Sequence, residues 1–162
     1  MENEKVINKK SFSRFFATQI LFSYFFNKDE SGSIIDLTSF LEEYYISEEF
    51  SDTDKEEYKK NVNVNFLNEL LIGTLQHIKE IDALLNEHLT GKYTFNVIDD
   101  LIKIIFRLAM YEFLYTDTEK KIIINEYVDI AGEYLDGKAI SFVNATLDNL
   151  SKIEKNNTTN NE

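Results

Sequence analysis

No cysteine and no proline occur in these 162 residues, and there are only five glycines and two histidines. Without cysteine there can be no disulfide, no thiolate metal site and no cysteine nucleophile. Without proline, nothing removes a backbone donor from the interior of a helix, so long uninterrupted helices are favoured. His77 and His88 lie eleven residues apart, roughly 16 Å by rise along one continuous helix, too far to share a metal ion. Both read as surface or boundary side chains. No run of 18 or more apolar residues is present, and the charged head MENEKVINKK is unlike the apolar core of a signal peptide. A cytoplasmic protein without a membrane partner is therefore expected. There is also no Gly-rich phosphate loop, no G-x-S-x-G, no H-E-x-x-H and no D-x-D-x-D-G loop. No catalytic residue, metal or cofactor is expected, and the chain does not read as an enzyme.

Acid is abundant, and it is unevenly spread. The net charge is −12 and the isoelectric point about 4.6. Residues 1–28 hold five Lys/Arg against two Asp/Glu, whereas residues 29–60 hold three against eleven. Only the N-terminal section is basic. Proteins that grip nucleic acid chiefly by neutralising phosphates carry a basic patch, so RNA binding by this chain must be local or shared with a basic partner.

Apolar residues recur at steps of three and four throughout, the helical period. Residues 1–8 read as a polar arm, and residues 155–162, without apolar side chains, as a disordered tail. Between them, residues 9–154 form a single all-α domain. From Lys9 to Asn27, Phe12, Phe15, Phe16, Gln19, Phe22 and Phe26 line one side of a helix, with Lys10 and Arg14 sharing a narrow polar strip. A second helix is expected from Ile34 to Ile46, followed by an acidic run read as a solvated loop and helix start, with Thr53 and Glu56 as a cap. The next helix should continue through Val62 to Ile78, with Gly73 permitting close approach, and helical character extends to a stop at Gly91. Asn96 and Asp99 cap a long helix, Val97 to Leu114, apolar nearly all round. Its charges, Arg107 and Glu112, need partners or access to water.

Two amphipathic patterns close the chain. Thr116 and Glu119 form a capping-box signature ahead of Ile124, Tyr127, Val128, Ala131 and Leu135. Asp136-Gly137 ends that helix, with Gly137 suited to a positive φ and Asp136 to capping the next helix. There Ile140, Val143, Leu147, Leu150 and Ile153 form the buried stripe, with Phe142 at its edge.

Ile124-Asn125-Glu126, followed by Phe142-Val143-Asn144-Ala145-Thr146-Leu147-Asp148, resembles the C-terminal part of the NusB family of transcription antitermination factors. Arg107-Leu108-Ala109-Met110-Tyr111-Glu112 is similar to an upstream helix of that family. Phe66, Leu70, Leu71, Gly73, Asp82 and Leu89 match in order and spacing, and Ala17, Gln19, Leu21 and Phe22 echo the first helix. The resemblance runs from about residue 9 to 152. It implies an all-α NusB-like fold of about seven helices in two packed small bundles. It further implies a non-enzymatic factor that binds boxA-type single-stranded RNA together with the ribosomal protein NusE, acting indirectly on the RNA polymerase elongation complex in rRNA transcription. A homodimer is compatible with it.

RNA recognition of that kind needs cations for phosphates and flat side chains for bases. The family's RNA-binding positions map onto Lys9, Lys10, Arg14, Gln19, Phe22 and Phe142. Ser11, Phe12 and Phe15 stand where the family has charged residues, Ala145 replaces a glycine, and Glu119-Lys120-Lys121 replaces a loop proline. These departures leave the fold intact and bear on RNA affinity. The alternative is a NusB-fold adaptor, in transcription or ribosome assembly, that kept its protein-binding surface and lost most RNA contact.

Overall fold

The computed structural model describes residues 8–27 and 61–154. Among the described residues the regular structure is entirely helical: α1 (Lys9–Asn27), α2 (Val64–Gln76), α3 (Ile78–His88), α4 (Asp100–Tyr115), α5 (Lys120–Tyr134) and α6 (Gly137–Leu150). The expected helix from Ile34 to Ile46, the cap at Thr53 and Glu56, most of the N-terminal arm and the tail all lie outside the described residues. No described helix is long and apolar enough to cross a membrane. The chain divides into two compact units, Met1–Ile78 and Lys79–Glu162.

In the first unit α1 packs against α2. The buried apolar set on α1 is Phe16, Ala17, Ile20, Leu21 and Tyr24, and on α2 it is Phe66, Leu67, Leu70 and Leu71, with Gly73 also buried. This differs from the expected aromatic stripe: Phe22 and Phe26 are 38% and 79% exposed and stack on each other at 6.4 Å. Phe16 and Tyr24 turn inward with the aliphatic side chains, while Phe22 and Phe26 face outward. Ser13 ties the elements together, donating its hydroxyl to Lys9 O (2.6 Å) and accepting from the Asn63 backbone N–H (2.9 Å). The Asn63 side chain in turn accepts from Phe66 N–H and caps α2. The one long helix expected through Ile78 is instead two. His77, at φ −107° and ψ 15°, separates α2 from α3, at a place where neither glycine nor proline marks the break.

The second unit is built on α4, which packs against α5 and α6 while these pack on each other. Ile104, Ile105, Phe106, Leu108, Ala109 and Met110 bury successive faces of α4, as a helix apolar all round requires. Arg107 meets its predicted need for a partner through Asp82 on α3, with Nε–Oδ1 at 2.8 Å and Nη2–Oδ2 at 2.9 Å. Glu112 is fully buried.

Several boundaries shift from the sequence reading. α4 starts at Asp100 because Asp99 alone caps it, accepting from Leu101 N–H at 2.8 Å. Thr116 closes α4, its hydroxyl donating to Glu112 O at 2.8 Å, and so is not the cap of α5. Glu119 occupies that position without a side-chain hydrogen bond. The buried face of α5 is Ile123, Tyr127, Ile130 and Ala131, rotated from the expected stripe, since apolar residues populate more than one side there. Asp136 caps α6 through Ala139 N–H at 3.0 Å as expected, but Gly137 is the first helical residue and does not have positive φ. Gly91 alone of the described residues does, at φ 74°.

Tyr115 ends α4 by donating its hydroxyl to Glu80 on α3 and stacks on Tyr111. Burial, then the hydrogen bond to Glu80 and its charge, with a smaller effect of Tyr111, push its pKa from 10.0 up to about 12. The folded value lies above the unfolded one, so this stabilisation is complete below about pH 10 and is lost as pH rises toward 12. In a tyrosinate absorbance titration Tyr115 should ionise at about pH 12, and Glu80→Gln should bring it back toward its ordinary range.

Candidate nucleic-acid interface

The basic end of the chain lies on the first turns of α1. Asn8 Oδ1 accepts from the backbone N–H groups of Lys10 and Ser11, which supplies the start signal the helix needs. Lys9 and Lys10 are exposed there. Arg14 is not: it is 2% exposed, with its guanidinium 5.0 Å from the ring centroid of Phe66. The expectation that Lys10 and Arg14 share a solvated strip is thus corrected. One helical turn separates them, and both sit on Phe66, Lys10 with its ammonium 5.1 Å from that ring, but only the arginine is buried. A planar, weakly hydrated guanidinium tolerates such a place on an aromatic face. Gln19 is half-buried and Phe22 exposed on the same helix.

Phe142 belongs to the second unit. On the first half of α6 it is half-buried, its ring 6.1 Å from Phe106 and 5.1 Å from Tyr93. Tyr93 lies in the loop after α3, where Gly91 takes the left-handed conformation that other residues adopt at a cost. Tyr93 is 51% exposed, and the ammonium of Lys92 stands 5.8 Å from its ring centroid. The two rings wall a cavity of about 330 Å³ that His88, Thr146 and Asn149 also line. Sequence reasoning missed this role of His88, and it missed Tyr93 because a loop residue has no helical period to betray it. Gly91, two residues before it, was its only signal.

The loop is tied down from below. Phe95 is buried, with Lys103 and Arg107 at 5.5 and 5.2 Å from its ring. Arg107 therefore joins α3, α4 and the loop bearing Tyr93. Among the described residues no group of three His, Cys, Asp or Glu is placed to hold a metal ion. What both units offer is cations beside flat rings, an arrangement suited to phosphates and bases.

The chain is similar over 151 residues to the transcription antitermination protein NusB of Rickettsia akari, at 29% identity, covering 93% of this chain and 95% of that one. A solved structure of T. maritima NusB matches with a TM-score of 0.66 and 26% identity over 90% of this chain and 92% of that one. A crystal structure of the antitermination factors NusB and NusE in complex with dsRNA shares the fold, with a TM-score of 0.62 and 21% identity over 91% and 98% of the two chains. With the NusB family model matching residues 11–152, and with Phe142, Asn144 and Asp148 standing on α6 where the sequence resemblance put them, the chain belongs to the NusB family.

Proposed function

We propose that this protein is a cytoplasmic, non-enzymatic transcription antitermination factor that binds boxA-type single-stranded RNA together with NusE and so supports rRNA transcription. The observation that carries this reading is membership of the NusB family across residues 11–152, a family with a relative of the same fold seen with NusE and dsRNA. Exposed Lys9 and Lys10 serve as phosphate contacts, and exposed Phe22 and half-buried Phe142 offer flat surfaces. Arg14, buried with its guanidinium over Phe66, contributes to the packing of the basic end. Gln19, half-buried on the same helix, borders that surface.

The net charge of −12 and the burial of Arg14 favour one second reading, the adaptor that binds NusE and contributes little to RNA. A transcription read-through assay tests the first. On a template with a boxA element ahead of a terminator, the protein should raise read-through only when NusE is present. Equal read-through on a template with scrambled boxA would overturn RNA recognition.

A further inference from the structure

We propose that the cavity lined by Tyr93, Phe142, His88 and Asn149 is a nucleobase subsite that takes one unstacked base of a bound RNA strand. This rests on the RNA-binding reading above and adds to it residues that the sequence did not single out. The cavity, about 330 Å³, is at the small end of the range of ligand sites, roughly 300–1,000 Å³. It suits a single planar group.

Its walls are aromatic and its edges polar. Tyr93, half-exposed and braced at 5.1 Å by Phe142, offers a ring on which a base stacks whatever its identity. Asn149 carries both a donor and an acceptor at its amide, so it can meet the hydrogen-bonding edge of a base. His88 adds a defined atom. Its Nδ1 lies 2.9 Å from Leu84 O, and a carbonyl only accepts, so Nδ1–H donates there and the Nε2 edge of the ring is left for a ligand.

Charge separates a nucleotide from other flat ligands. The ammonium beside Tyr93 belongs to exposed Lys92, whose flexible stem lets an entering base displace it from the ring and brings it to the phosphate of the same nucleotide. An aromatic platform, a polar edge and a mobile cation at the rim are the elements of single-strand recognition.

The test is a thermodynamic cycle between Tyr93→Ala and a series of RNA oligomers, each carrying one abasic position, titrated against the complex with NusE. Tyr93→Ala should weaken the intact oligomer about tenfold or more, the fold-change of losing one stacked base. One abasic position should cost the unsubstituted protein a similar factor and cost Tyr93→Ala nothing. Tyr93→Phe should bind as the unsubstituted protein does. Circular dichroism and thermal melting of the variants establish that the fold is retained. Unchanged affinity of Tyr93→Ala for an oligomer that the unsubstituted protein binds would overturn the subsite and leave RNA binding standing. Loss of affinity for NusE in its place would overturn the subsite equally, since a partner side chain then fills the cavity. Absence of RNA binding by the unsubstituted complex would overturn the functional reading and the subsite together.

Discussion

Arg107→Ala should lower the free energy of unfolding by about 3 kcal/mol, near the lower end of the range for breaking a buried ion pair. Both guanidinium contacts to Asp82 are short, at 2.8 and 2.9 Å, and the two side chains are 14% and 27% exposed. Charge-assisted hydrogen bonds of this kind contribute roughly 1.5–3 kcal/mol, and the contact with Phe95 at 5.2 Å adds about 1 kcal/mol. Partial access to water keeps the total from the top of the range, because the abandoned carboxylate is rehydrated. Arg107→Lys should recover less than half, since a point charge cannot reproduce the two-pronged geometry. Urea unfolding of both variants, in a cycle with Asp82→Asn, measures the coupling. A loss below about 1 kcal/mol, the size expected for an exposed pair, would contradict the account. Because the same arginine underlies the loop bearing Tyr93, the destabilised variant should also bind RNA more weakly.

Lys9→Ala combined with Lys10→Ala should flatten the slope of log RNA affinity against log salt by about 1.4, each contact with single-stranded nucleic acid contributing about 0.7. These are the exposed cations at the start of α1, in the one net-positive section of the chain. The complex with NusE should survive the double substitution. Arg14→Ala should behave differently: its side chain is buried against Phe66, so its loss appears as reduced stability with little change in salt slope. An unchanged slope in the folded double variant would make the basic end ordinary solvated surface. The adaptor reading would then be preferred.

The helical class was legible because the period of apolar residues is visible without any knowledge of neighbours. The fine assignments failed where two equally good local readings compete. Thr116 can cap the helix that follows it or close the one before, and only the geometry of Glu112 O chooses. Apolar residues on two sides of α5 left its core face ambiguous until α4 and α6 selected Ile123 and Ile130 over Ile124 and Val128. Arg14 misled for a related reason. Charge predicts exposure, yet one turn from Lys10 the chain supplies an aromatic face on α2 that accepts a guanidinium. Phe142 was found through the resemblance, whereas its partner Tyr93 was not. Their contact joins residues 49 positions apart, a pairing that no local pattern encodes.

The most direct test is fluorescence anisotropy of a labelled boxA-type RNA oligomer titrated with this protein alone, with NusE alone and with both. An acidic chain with an isoelectric point of about 4.6 repels phosphate at long range, so it should bind weakly by itself. With both proteins present the affinity should exceed that of either alone by at least tenfold, and a scrambled oligomer should lose that gain. A complex that forms with NusE but binds boxA-type RNA no more tightly than NusE does alone would contradict the account.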